Sequence, residues 1–181
     1  MRGWYYLMAQ LPSFSTQQTA PLPISEEYFL DLCSRFLDKK TYDIVSGISL
    51  EPPRTCIPTG SAFLDSYYDW ERKLRFSLAS IRAQKMKKEF NLPQDLSFAP
   101  DIVQIARTAS GFDSPLETEQ FLNESRMNAV RNFTPSNYFS TDSVFSYALQ
   151  LKLATRIKQF NEEAGLASYR MIYDQILGES T

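Results

Sequence analysis

Of the side chains that most often do chemistry, histidine is missing from this chain altogether. Its absence removes the commonest general base and metal ligand, and every Ser-His or Cys-His nucleophile pair with them. Cys33 and Cys56 lack Cys-x-x-Cys spacing and have no histidine to complete a zinc set, so no structural zinc site is expected. Asp31, Asp65, Asp69, Glu117, Glu119, Glu124, Glu162 and Glu163 offer carboxylate pairs at helical spacing, without the Glu-x-x-His motif of a di-iron bundle. Acid-base work by such a pair requires the fold to bring two acids into one cleft. Neither a GxxxxGK[ST] loop nor a GxGxxG turn occurs, so no nucleotide site is evident. The expectation is a protein that is not an enzyme and uses no cofactor, metal or small-molecule substrate.

Binding offers more candidates. Arg72, Lys73, Arg75, Arg82, Lys85, Lys87 and Lys88 form a basic group within one long helical pattern. Such a group can contact RNA or phosphate. It is equally what the solvated face of an amphipathic helix looks like, partly neutralised by Asp65, Asp69, Glu71 and Glu89, and that reading is favoured. No recognised nucleic-acid module accompanies it. Contact with a protein partner is the best functional use, with Arg72, Arg75, Arg82 and Lys85 as candidates. Most aromatic residues are expected in the core. Phe133, Tyr138 and Phe139 fall in a connector, where core packing and the anchoring of a partner by exposed rings are equally open.

The elements that must position these residues read as helices. Trp4 to Leu11 is a short apolar run that fits a strand or a buried helical turn equally. Ser25 is a predicted N-cap, with Glu26 and Glu27 in the first turn of a helix reaching about residue 39. Prolines and Gly47 make 42–59 a connector, with a short helical turn at 43–46. Phe63, Tyr67, Trp70, Leu74, Leu78 and Ile81 recur at spacings of three and four, predicting one long helix over about 60–90. Pro100 opens a short helix that Gly111 ends. Ser114-Pro115-Leu116-Glu117 combines an N-cap, proline in the first turn and a capping-box glutamate, and starts a helix that Thr134-Pro135 stops. Thr141 or Asp142 is expected to cap the next helix, Gly165 to end it in a left-handed cap, and a last helix to cover 166–177. The class is all-α: an irregular multi-helix bundle with one long central helix. It reads as a single helical domain over 1–181, divisible into an N-terminal segment, 1–58, and a helical bundle, 59–181.

Composition agrees. At 181 residues with 43% hydrophobic content the chain can bury a core without disulfides or metals, and six glycines are few for an all-β protein. A net charge of −2 points to no polyanionic partner, and none is expected. No window approaches the ~18 apolar residues of a membrane span, and the N-terminal run is too short and aromatic for a signal peptide. A disulfide between the two cysteines stays open, although the usage favours a reduced, cytoplasmic protein, with Cys33 as a small buried residue.

Four segments carry a family resemblance: Tyr5-Tyr6-Leu7-Met8-Ala9-Gln10-Leu11-Pro12, the 63–75 run from Phe63-Leu64-Asp65 to Lys73-Leu74-Arg75, Pro115-Leu116-Glu117-Thr118-Glu119-Gln120-Phe121-Leu122, and Tyr147-Ala148-Leu149-Gln150-Leu151-Lys152-Leu153 with Arg156. In these the chain resembles short, uncharacterised bacterial proteins encoded among V-type ATPase subunits. That family is similar in turn to the C (or d) subunit of A/V-type ATPases, a helical funnel that caps the membrane rotor ring and receives the central shaft. The resemblance implies part of such a funnel, since this chain is about half as long. It also implies a non-catalytic role in ATP-driven ion transport, with shaft and rotor-ring subunits as partners and peripheral association with the inner membrane through them. The alternative is a stand-alone helical binding protein whose basic helix contacts RNA or a protein.

Overall fold

In the computed structural model, residues 3–14, 21–90, 97–159 and 162–178 are described. They form eight helices and no strand: α1 (Trp4–Gln10), α2 (Glu26–Phe36), α3 (Lys39–Gly47), α4 (Ala62–Lys85), α5 (Pro100–Gly111), α6 (Pro115–Phe133), α7 (Thr141–Gln159) and α8 (Glu162–Gly178). The fold is thus an all-α, irregular multi-helix bundle. The ambiguous N-terminal run is helical, and buries Leu7 and Met8. A Cβ at Gly3 would collide with the Phe36 carbonyl, so α1 begins directly against the end of α2.

Local capping sets several boundaries that apolar periodicity alone misplaces. Ser25 caps α2 as expected, its hydroxyl accepting from the Tyr28 amide at 3.2 Å. The helix ends at Phe36 rather than near 39, because Leu37 is extended (ψ 153°) and Asp38 caps a new helix. Asp38 accepts from the Thr41 amide at 3.2 Å and hydroxyl at 2.7 Å, and these bonds hold its carboxyl below the ordinary value. The expected connector therefore contains all of α3's second half. Gly60, at φ 84°, leads into Ser61, which caps α4 by accepting from the Leu64 amide at 3.2 Å. The central helix spans 24 residues, about 36 Å, and stops short of 90. There Lys87 turns left-handed (φ 54°), and the amides of Lys88 and Lys87 bond back to Ala83 and Gln84 at 2.9 and 3.1 Å. This is the Schellman pattern, with lysine where glycine is usual.

At α7 the cap is Ser140, which accepts from the Ser143 amide at 3.1 Å. Asp142 instead accepts from the Ser61 hydroxyl at 2.7 Å, tying the starts of α4 and α7 together. Gly165 lies inside α8 and caps nothing, and the break between α7 and α8 falls outside the described residues.

The stripe on α4 feeds two clusters in sequence. Phe63, Leu64, Tyr67 and Tyr68 join residues of α1, α2, α3 and α7 in the first cluster, which includes Leu7, Phe29, Cys33, Val45 and Leu149. Trp70, Leu74 and Leu78 join Ile102, Ala106 and Ala109 of α5 and Leu122 and Ala129 of α6 in the second. The small residues of α5 let it lie close along α4, and α6 and α7 cover the remaining faces. The first cluster draws on chain from both sides of residue 58. Cys33 and Cys56 are both free thiols, the first buried and the second exposed.

Candidate functional site

The four basic candidates on α4 have different fates. Arg72 donates from Nη2 to the Pro53 carbonyl at 2.9 Å, pinning the connector to α4. Lys85 donates to the Ser110 carbonyl, a cation at the C-terminal end of α5, where the helix dipole favours it. Arg75 donates from Nε to Glu71 at 2.8 Å and from Nη1 to Glu51 at 3.3 Å. The exposed Arg82 side chain has no hydrogen bond or ion pair among the described residues. Periodicity correctly placed all four on one helix, but only the fold reveals which of them are occupied.

What sequence reading missed here is Glu71. It is 0% exposed and accepts from two guanidiniums, Arg75 and the Arg126 Nε, the latter bridging both its oxygens at 3.1 and 3.2 Å. Arg126 is itself 6% exposed, and its Nη1 also reaches Asn123 Oδ1 at 3.3 Å. Glu119, 4.0 Å from Arg126, pairs with Arg156 at 3.3 Å and carries the chain of charges to α7. In the sequence Glu71 is one acid among several on a charged helix. Its only distinguishing signal is its place next to the apolar stripe, one residue after Trp70 and three before Leu74. Above this network lies an open cleft of about 580 Å³ between α4 and α6, bordered by the α4–α5 loop and Arg156.

The aromatic candidates divide as well. Phe133, at the end of α6, is partly buried against both core clusters. Phe139 stacks on Tyr5 with ring centres 4.3 Å apart and planes 2° from parallel. Tyr138 meets Phe139 edge-on at 5.3 Å, and its hydroxyl donates to the Met8 carbonyl at 3.3 Å. Tyr138 and Phe139 therefore clamp α1 to the connector, and with the exposed Tyr5 they form an aromatic surface patch. Phe133 is not part of it.

Among the described residues, exposed large apolar side chains concentrate on α8. Leu166, Tyr169, Ile172 and Tyr173 recur at spacings of three and four, which puts them on one face. All four are more than half exposed, as is Met171. No other helix packs along α8 among the described residues. Tyr169 and Tyr173 stack on each other across one turn, with centres 6.2 Å apart. Sequence reading identified this helix but gave its stripe no special role, because an apolar face reads the same whether or not something covers it.

Among the described residues, no group of three or more Cys, Asp and Glu side chains is arranged to hold a metal ion, and no helix is long and apolar enough to cross a membrane. Fold and surface together define an all-α protein with uncovered apolar faces. The family model described as protein of unknown function, DUF2764, matches residues 87–180, and the chain belongs to that family. The matched part takes in α5 to α8, including Arg126, the 133–139 connector and the α8 stripe. Comparisons with curated proteins and with solved structures gave no match.

Proposed function

We propose that this protein is a non-catalytic helical adaptor of a V-type ATPase, linking the membrane rotor ring and the central shaft, with α8 as its docking helix. The observation that carries the docking role is the uncovered apolar stripe Leu166, Tyr169, Ile172 and Tyr173. A helix in water ordinarily buries such a stripe, and at roughly 1.5–3 kcal/mol per large side chain the unused burial favours a partner. A protein partner suits α8 better than a bilayer. Its charged residues are Glu162, Glu163 and Asp174 against one Arg170, the wrong sign for an anionic membrane surface.

The sequence resemblance supplies the partner's identity. Its four segments coincide with α1, the first half of α4, the start of α6 and the middle of α7, all of them parts of the packed scaffold. On this reading the scaffold supports α8, and membrane association is peripheral, through the ATPase.

The test is affinity isolation of the tagged protein under gentle, low-detergent conditions, with mass spectrometry of what accompanies it. Shaft and ring subunits are expected with the native chain and absent with Ile172→Asp, whose thermal stability should match the native chain because residue 172 is exposed. Absence of ATPase subunits from the native isolation refutes the adaptor reading. Steep, salt-dependent RNA binding in their place favours a stand-alone binding protein instead.

A further inference from the structure

We infer that the cleft over the Glu71–Arg126 pair is a binding site for a small organic phosphate, a ligand with an anionic head and an apolar body. This goes beyond the adaptor reading and is independent of it, since α8 does not line the cleft.

Charge is the first argument. Glu71 is shared by Arg75 and Arg126, and although Glu51, Glu89 and Glu119 also border the cleft, its five cationic side chains outnumber these four carboxylates by one. Arg126 Nη2 and Arg75 Nη2 have no partner among the described residues, although the other nitrogens of both forks are used or held. Arg82 follows Arg75 by seven residues, about 10.5 Å along the same face of α4, and its side chain also lines the cleft with no bond among the described residues. Guanidinium forks of this kind match the oxygens of phosphate in geometry and charge.

Preorganisation is the second. Arg126 is fixed by Glu71 and Asn123, both essentially buried, so little side-chain freedom is lost when its remaining nitrogen takes an anion. Shape is the third. The cavity of about 580 Å³ falls within the roughly 300–1,000 Å³ of small-molecule sites, and Leu78, Leu122 and Phe90 give it an apolar side. An inorganic ion would leave that side unused. The exposed Glu51, whose carboxylate is held by Arg75 alone among the described residues, at 3.3 Å, can swing away as the anion arrives.

The test is calorimetric titration of the full chain at low salt with phenyl phosphate, inorganic phosphate and benzoate. Phenyl phosphate is expected to bind most tightly, inorganic phosphate less because it leaves the apolar wall bare, and benzoate less because it carries one charge. Arg82→Ala, which breaks no bond in the structure, should weaken phenyl phosphate at least about tenfold, and Arg82→Lys should restore part of the loss. Failure of phenyl phosphate to bind the native chain overturns the inference. So does an unchanged affinity in Arg82→Ala, or binding of inorganic phosphate as tight as that of phenyl phosphate.

Discussion

Replacing Glu71 by glutamine tests the buried network most directly. The native carboxylate accepts from Arg75 Nε at 2.8 Å and from Arg126 Nε at 3.1 and 3.2 Å while fully excluded from water. Glutamine has nearly the same shape, so no cavity opens, but the charge is gone. Arg75, 38% exposed, can turn to water and to Glu51. Arg126 cannot, because its side chain is only 8% exposed, and its nearest other carboxylate, Glu119, stands 4.0 Å away and is engaged by Arg156. A buried cation left without its partner costs about 3–5 kcal/mol. In a chain of this length each kcal/mol moves the midpoint by about 2–4 °C, so Glu71→Gln should lower Tm by roughly 6–20 °C. Arg126→Met leaves the buried carboxylate with Arg75 as its remaining partner at 2.8 Å, and should cost less, about 1–3 kcal/mol. The double change Glu71→Gln with Arg126→Met removes both charges together, and should cost clearly less than the two single changes added. Thermal unfolding followed by circular dichroism measures all four chains. If Glu71→Gln unfolds within about 1 kcal/mol of the native chain, or the double variant loses the sum of the singles, the pair is not a coupled buried unit and the reasoning is wrong.

Three further outcomes follow from the same structure. Gly3→Ala should destabilise by about 1–3 kcal/mol in urea titration, because a Cβ there meets the backbone carbonyl of Phe36 and α1 must shift away from α2; an unchanged midpoint contradicts that packing. Burial pushes the Cys33 thiol from 9.0 up to about 12, so its contribution to stability is intact below pH 9 and is lost as pH rises towards 12. The loss should reach about 1 kcal/mol by pH 10 and shrink in Cys33→Ala, whereas urea midpoints that stay level above pH 9 speak against it; burial raises the Tyr67 and Tyr147 phenols in the same sense. Lys87→Gly should stabilise by roughly 1 kcal/mol, since the left-handed cap position at φ 54° strains any residue with a Cβ; a loss of stability would mean that the lysine side chain contributes more than its backbone costs.

Helix content was legible wherever a signal is local and reinforced. Ser114-Pro115-Leu116-Glu117 starts α6 in the sequence and in the structure, because an N-cap hydroxyl and a proline without an N–H need no distant partner to act. Ser25 behaves in the same way at α2. Misplaced boundaries arose where two local signals compete. The apolar pattern runs on past Phe36, but Asp38 with Thr41 forms a better cap than a continued turn, and the chain breaks there. Good helix formers likewise continue past Lys85, yet the chain turns at Lys87 and the Phe90 ring comes to lie 6.4 Å from Phe76.

The candidate site was less legible, for a different reason. Spacing put Arg72, Arg75, Arg82 and Lys85 on one helix, and loop position singled out Tyr138 and Phe139. It did not reveal that Arg72 holds the connector, that Lys85 closes α5, or that Tyr138 and Phe139 grip α1. Those partners lie 19, 25 and 130 positions away in the chain. The sequence by itself determined an all-α chain without histidine chemistry, since composition, periodicity and caps are properties of neighbouring residues. Tertiary structure alone decided which charges are spent inside the fold, that Glu71 is buried between two arginines, and that the α8 stripe is uncovered, because burial depends on what the rest of the chain brings alongside.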